Sequence, residues 1–515
     1  MPRALPLLVL CLLLGSLVGC GGSAADGGAD PASGVPADAT VYAEATVRPE
    51  GDLREDLLAA AGKVLQTDDA EARIRELVDQ ALASEEAPSV EYEQDIAPWL
   101  GERIGLAVLP GGGPEPGYAV LIATTDTEAA QEALDKGLEG DAEPPKPGSH
   151  GGVDYVVDQD GDAAGVVEDF VVVAREAEFK RVVDTFGGES LADGDAYREA
   201  LEPLAGDRLA HFYVNLRGLI ELGSRGEPDA AEQLRMFEQF VPLDRLGAMA
   251  GAFMADGDRL AFDFTFGREM AEGPLGALSG TEGTPLLADL PADSWVAAGT
   301  PDVGEVVRKT IDQFGGALGG AVAQQQLREQ LGIDLEQDVL SWMGDVALFV
   351  RGTDLASIDG GVVIEVTDAD RAAAAIPRLV GAARQSGGVD LQPVSIPGAD
   401  LAFAAASGGP QPIVLAQSAE RVVVAFGEEA AAEALSPASR LGDSELYGAA
   451  ESALDGIAPS VLVSMASVVE MIEATGSADA EFEQARPYLE AFDVIASGGA
   501  EEDGRPRYRV AAGLK

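Results

Sequence analysis

The feature that most restricts the fold is self-similarity along the chain. Tyr92-Glu93-Gln94-Asp95-Ile96-Ala97-Pro98-Trp99-Leu100-Gly101-Glu102 is echoed by Leu335-Glu336-Gln337-Asp338-Val339-Leu340-Ser341-Trp342-Met343-Gly344-Asp345, and two of the chain's three tryptophans fall at the same place in the two blocks. Pro36-Ala37-Asp38 recurs as Pro291-Ala292-Asp293 and Thr125-Asp126 as Thr367-Asp368. The apolar run 170–174 recurs as 421–425, and 191–200 as 441–450. The pairs keep one order at a spacing of roughly 250 residues, which predicts a tandem duplication. The first copy is placed at 36–275 and the second at 285–515, with the seam between Gly273 and Pro285.

Within each copy the hydrophobic period changes. A strand follows the Pro-Ala-Asp start. Leu53, Leu57, Leu58, Val64, Leu65, Ile74, Leu77, Val78 and Leu82 then fall on helical spacing and predict one long amphipathic helix. Val303, Val306, Val307, Ile311, Phe314 and Leu318 do the same in the second copy. β-rich runs at 104–109, 118–123, 153–157 and 166–174 are parted by Gly, Pro and Asp turns that suit hairpins better than crossovers. A further pair, 248–254 and 259–266, flanks Asp256-Gly257, with 494–500 and 507–512 as its counterpart. The expected fold is α+β, two tandem homologous copies, each a mainly antiparallel β-sheet packed with amphipathic helices.

Ahead of the first copy, Arg3 gives a short basic start, and the apolar run 5–14 is too short to remain in a bilayer as a spanning helix. It ends in Leu17-Val18-Gly19-Cys20, the form of a bacterial lipobox, so residues 1–20 read as a lipoprotein signal peptide with Cys20 the lipidated residue. Several acyl chains on one residue anchor stably, at about 0.8 kcal/mol per buried methylene. Residues 21–35 are Gly, Ala, Ser, Asp and Pro with a closing Val, the composition of a flexible tether. The expected address is the extracytoplasmic face of the cell membrane.

The lipobox leader, the Pro36-Ala37-Asp38 start and the repeated 93–102 segment together resemble the bacterial surface lipoprotein family catalogued as domain of unknown function 3352. The resemblance implies that the family covers nearly the whole mature chain. It brings no activity with it.

After the leader, about 495 residues exceed what one core usually serves, so two domains are expected. Apolar residues at 46% and charged residues at 24% suit folded soluble domains. With 89 acidic against 34 basic residues, a formal charge of -55, the chain repels phosphate backbones, which excludes nucleic acid as a partner. Cys11 and Cys20 are the only cysteines, leaving the mature body without a thiol for a disulfide, a thiolate metal site or a nucleophile.

The residues that could carry chemistry are few. His150 and His211 are the only histidines and lack the spacing of a zinc or iron site. Ser149 beside His150 does not form a nucleophile and base pair, and 148–152 reads as a flexible loop after Pro144-Pro145. Asp158, Asp160 and Asp162 alternate as calcium ligands do. Glycine falls fourth rather than sixth, however, and Asp169 stands where a glutamate belongs, so a solvated hairpin turn is expected. Glu93 with Asp95, and Glu336 with Asp338, could serve as paired acid and base. Their recurrence favours a structural role, as acidic groups at a helix or turn start with Trp99 and Trp342 packing inward. Gly111-Gly112-Gly113 and Gly315-Gly316 match no phosphate-cradling pattern.

These readings predict a non-catalytic, lipid-anchored protein that binds another cell-envelope component and needs no cofactor. The alternative is a carrier of a lipid or other apolar small molecule, followed by a carboxylate-based envelope hydrolase.

Overall fold

The computed structural model describes residues 28–83, 92–111, 115–138, 144–204, 206–225, 246–267, 283–314, 320–385, 390–408, 411–502 and 505–515. The expected leader with Cys20, the expected tether up to residue 27, Gly112-Gly113, most of the expected seam at 273–285, Gly315-Gly316 and Leu318 lie outside them. The chain divides into two compact units, Met1–Glu269 and Met270–Lys515. Both are α+β with antiparallel sheets. Among the described residues no helix is long and apolar enough to cross a membrane.

Unit 1 opens with a turn of 3-10 helix, Pro31–Gly34, capped by Asp30, whose carboxylate accepts the Ala32 N–H at 3.0 Å. Ala32 and Val35 are fully buried. The tether expected over 21–35 is therefore shorter, because residues from 28 onward belong to the folded unit. Strand β1 (Val41–Thr46) follows, then α1 (Gly51–Leu65) and α2 (Ala70–Ala83). One helix was expected across this stretch. Gln66 takes a left-handed φ of 52°, and Asp69 restarts the chain by accepting the Ala72 N–H at 2.9 Å, so the helix breaks in two.

The rest of unit 1 comprises β2 (Leu100–Leu109), β3 (Gly117–Thr124), α3 (Thr127–Leu138), β4 (Lys146–His150), β5 (Val153–Val157), β6 (Asp162–Val167), β7 (Phe170–Arg175), α4 (Glu176–Thr185), α5 (Asp195–Leu201), β8 (Ala210–Asn215), α6 (Leu216–Gly223), β9 (Ala248–Asp256) and β10 (Arg259–Phe266). The run 166–174 is a hairpin rather than one strand, turning at Glu168 with φ 48°. Antiparallel pairing gives the order β10-β9-β8-β1-β2-β3-β7-β6-β5-β4.

Unit 2 also starts on a capped turn, Pro285–Ala288, where Thr284 Oγ1 accepts the Leu286 N–H at 3.0 Å. It continues through β11 (Val296–Thr300), α7 (Val303–Phe314), α8 (Gly320–Leu331), β12 (Met343–Arg351), β13 (Asp359–Val366), α9 (Ala369–Gln385), β14 (Gln392–Pro393), β15 (Leu401–Ala405), β16 (Ile413–Gln417), β17 (Arg421–Phe426) and α10 (Glu428–Leu435). It closes with α11 (Glu445–Ala453), β18 (Pro459–Ser464), α12 (Met465–Ala474), α13 (Ala480–Glu490), β19 (Phe492–Glu502) and β20 (Arg505–Leu514). The strand order is β20-β19-β18-β11-β12-β13-β17-β16-β15-β14, position for position that of unit 1.

The echoed blocks sit at matching joints. Pro36 bridges Ser190, and Pro291 bridges Arg440. The Trp99 carbonyl accepts the Thr125 N–H at 2.9 Å, and the Trp342 carbonyl accepts that of Thr367 at 2.9 Å. Each tryptophan is buried and turns its indole N–H back to the carbonyl four residues earlier, Asp95 at 2.7 Å and Asp338 at 2.8 Å.

Candidate functional site

Alternate residues of a strand face opposite sides of its sheet, so the register assigns every side chain to a face. In unit 2, Ala347, Val363, Val423 and Ala416 stand opposite one another on β12, β13, β17 and β16, all at 0–1% exposure. One residue along each of β12, β13 and β17, the other face carries Leu348, Val362 and Val424, also in register and 37–41% exposed.

That row runs on from strand to strand. Val424 stands opposite Leu415. In the other direction Leu348 stands opposite Ala298, Ala298 opposite Val461, Val461 opposite Ser497, and Ser497 opposite Val510, which is 41% exposed. Ile413 and Ile495 lie on the same face in the adjacent row and are exposed too. Large contiguous apolar surface of this kind marks a binding site in soluble proteins.

Unit 1 builds the same row from Phe212, Ala43, Leu106, Val120, Val173 and Ala164 on β8, β1, β2, β3, β7 and β6. There Val120, the counterpart of Val362, is 1% exposed. It shares a core with Ala70, Ile74 and Val78 of α2, and Leu58, Ala61 and Leu65 of α1 pack against that core. In unit 2 the second helix, α8, exposes Gln325, Gln326, Arg328, Glu329 and Gln330, while α7 leaves Val303, Val306, Val307 and Ile311 half-buried. The row through Val120 is roofed by aliphatic side chains in unit 1, whereas in unit 2 α9 packs over the neighbouring Val422, Ile364 and Leu415 and leaves Leu348, Val362 and Val424 exposed.

A second cluster is buried. Tyr42 and Glu44 share a face of β1, and the Tyr42 hydroxyl donates to Glu44 Oε2 at 2.6 Å. His211 stands opposite Glu44 on β8, its Nε2 2.9 Å from the Tyr197 hydroxyl, and Arg103 Nη1 lies 3.6 Å from Glu44 Oε1. Burial pushes the Glu44 carboxyl and the Tyr42 and Tyr197 hydroxyls up. Burial, with Arg208 and Arg103 adding to it, pulls His211 down to about 3. Counted from each Pro-Ala-Asp start, unit 2 has Ala297 and Gly299 at the places of Tyr42 and Glu44. Thr284 fills the space over Gly299 and hydrogen-bonds Asp345.

This cluster makes stability depend on pH with a definite sign. The unfolded chain protonates His211 near 6.5 and the folded chain near 3, so its contribution is complete above pH 6.5 and is lost as pH falls toward 3. Between pH 7 and 5 the native protein should lose stability relative to His211→Gln, by at most about 1.4 kcal/mol per pH unit below 6.5. Urea unfolding of both proteins at each pH checks this, and parallel pH profiles would contradict it.

The residues singled out in the sequence lie in separate places. Asp95 pairs with Lys136 of α3, and Asp338 with Arg378 of α9 at 2.9 Å. Glu93 pairs with Arg75 at 3.2 Å and Glu336 with Arg308 at 3.1 Å. Side-chain cations hold these carboxylates, where a helix dipole was expected. The blocks themselves form single turns of π-helix, Tyr92–Ile96 and Glu336–Leu340. Ser149 and His150 close β4 rather than a flexible loop, since 146–150 pairs along β5 and the turn falls on Gly151 and Gly152 at positive φ. His150 Nε2 meets Asp184 Oδ1 at 2.8 Å.

The Asp158 carboxylate accepts the N–H groups of Asp160 and Asp162, both at 2.8 Å, in the turn between β5 and β6. Asp162 is buried rather than solvated, 3.5 Å from Arg175. Among the described residues no three His, Asp or Glu side chains converge as a metal site. The apolar face was not foreseen, because 361–364 and 422–426 are continuous apolar runs that read as strands covered on both sides. The signal that could have found it lies in the helices, where Gln324-Gln325-Gln326 interrupts the apolar period that α2 keeps.

A family model described as "Protein of unknown function (DUF3352)" matches residues 7–403. The match ends inside unit 2, short of the near-complete coverage expected. No curated protein matches the chain. Among solved structures the chain is similar to crystal form IV of TP0453, at 11% identity and a TM-score of 0.24, over 46% of this chain and 80% of that one. It is similar to crystal form III of TP0453 at 10% identity and a TM-score of 0.24, over 46% and 79%. Scores this low carry no inference about fold or function.

Proposed function

The chain belongs to the DUF3352 family of proteins of unknown function, and from that starting point we propose that it is a non-catalytic lipoprotein, lipid-anchored through Cys20 on the extracytoplasmic face of the cell membrane. Its body is two tandem homologous copies, and the second copy binds another component of the envelope. The observation that carries this reading is the open apolar face of unit 2, where Leu348, Val362, Val424, Ile413, Ile495 and Val510 are all 37–41% exposed. Support for a binding rather than a catalytic role comes from Glu93, Asp95, Glu336 and Asp338, each already paired with a cation.

The test is photo-crosslinking on intact cells from a benzophenone side chain at Val362, with Leu219 of α6, exposed in unit 1, as the control position. An envelope component captured from Val362 and absent from Leu219 is the expected result. Identical adducts from both positions, or self-adducts only, would overturn the reading. The aliphatic make-up of the same face favours a second reading, a carrier of an apolar small molecule.

A further inference from the structure

Resting on the binding role just proposed, we infer that the occupant of the open face is an acyl chain of a membrane glycerolipid, laid along the row through Leu348, Val362 and Val424. Three observations converge on that chemistry.

The row is aliphatic throughout, apart from Ser497. From Val510 to Leu415 it offers Val, Ala and Leu, with none of the Trp, Tyr or Arg anchors on which protein interfaces concentrate their affinity. A hydrocarbon chain needs no hydrogen-bonding partner, and these side chains provide none.

Unit 1 shows what such a row accepts. Its Val120 is covered by Ile74 and Val78 of α2 with Leu58 and Leu65 of α1, aliphatic groups laid across the strands. In unit 2 the described side chains of α8 are largely exposed glutamine, arginine and glutamate, which cannot provide that cover. Leu348, Val362 and Val424 remain 37–41% exposed, so an acyl chain laid over them would supply the cover that Val120 already has.

The dimensions also fit. Strands lie about 4.8 Å apart, so the row from Val510 to Val424 spans about 29 Å. A single acyl chain fills half of a hydrocarbon core of about 30 Å, or roughly 15 Å, and so crosses three or four strands. The occupant proposed is a membrane lipid, and a cross-link from the face to the Cys20 peptide would reveal the chain's own anchor instead. The formal charge of -55 favours a neutral or zwitterionic headgroup.

The experiment feeds cells a palmitate analogue with a mid-chain diazirine and a terminal alkyne, irradiates them, and maps labelled peptides of the full-length protein by mass spectrometry. Glycerolipid adducts are expected on peptides bearing Leu348, Val362 and Val424, about tenfold above those bearing Leu106 and Val120. The V362D/V424D variant should lose that labelling by at least about tenfold, with its circular dichroism and Tm close to those of the native protein. Equal labelling of both units, or a cross-link joining the face to the Cys20 peptide, would overturn the inference. If acyl label is absent while the benzophenone at Val362 still captures an envelope protein, the acyl inference fails and the wider binding role stands. Loss of both signals would sink both.

Discussion

Val120→Asp and Val362→Asp, the same substitution at matching places of the two units, should give opposite results. At Val120 the new carboxylate is sealed in an apolar core with Ile74 and Val78 of α2, against which Leu58 and Leu65 of α1 pack. An unpaired buried charge costs several kcal/mol, of order 3–5, so unit 1 should unfold or drop sharply in urea midpoint. At Val362 the side chain is 37% exposed, and the change should cost less than about 1 kcal/mol, mostly as lost strand propensity. Urea unfolding followed by circular dichroism separates the cases. Equal losses would mean that the two faces are equally covered.

Trp342→Ala should be the most damaging single truncation in unit 2. The ring is 2% exposed and packs with Ala372, Ala375, Ile376 and Val380 of α9 and with Val422 of β17, so its removal leaves a large cavity, worth about 3–5 kcal/mol. The substitution also orphans the Asp338 carbonyl, which accepts the indole N–H inside the turn whose carboxylate holds Arg378. Trp342→Phe keeps most of the ring and loses that hydrogen bond, for about 1–2 kcal/mol. The order of stability should be native, then Phe, then Ala, in urea midpoints. Loss of the Arg378 contact in W342A, read by crystallography or NMR, would identify the turn as the element that fails. An alanine variant as stable as the phenylalanine variant would contradict this account of the block.

The sequence carried the architecture further than the site. Pro36 and Pro291 recur because each pins its strand by a bridge to the start of a later helical segment, and Trp99 and Trp342 recur because each closes the same turn. Packing of this kind leaves the same residue types at the same spacing, so the strand positions were legible. Hairpins were legible where glycine or Asp-Gly marks them. The turn at Glu168-Asp169 and the helix break at Gln66 use non-glycine residues at positive φ and leave no such mark. The open face was hidden for a different reason. Whether Val362 is covered depends on what lies over the sheet, and Val362 sits within an apolar run, 361–364, as Val120 does within 118–123. Nor does the spacing of Tyr42, Glu44, Tyr197 and His211 announce that they meet, since β8 joins β1 only through long-range pairing.

The most direct test uses the absence of cysteine beyond Cys20. With a single cysteine placed at Val120 or at Val362, and no other cysteine after residue 20, the rate at which the peptide bearing that position reacts with a maleimide under native conditions reports the cover over each face. Rapid labelling at position 362 with protection at position 120 is the predicted result. Equal protection at the two positions would show that the second face is closed and would contradict the account.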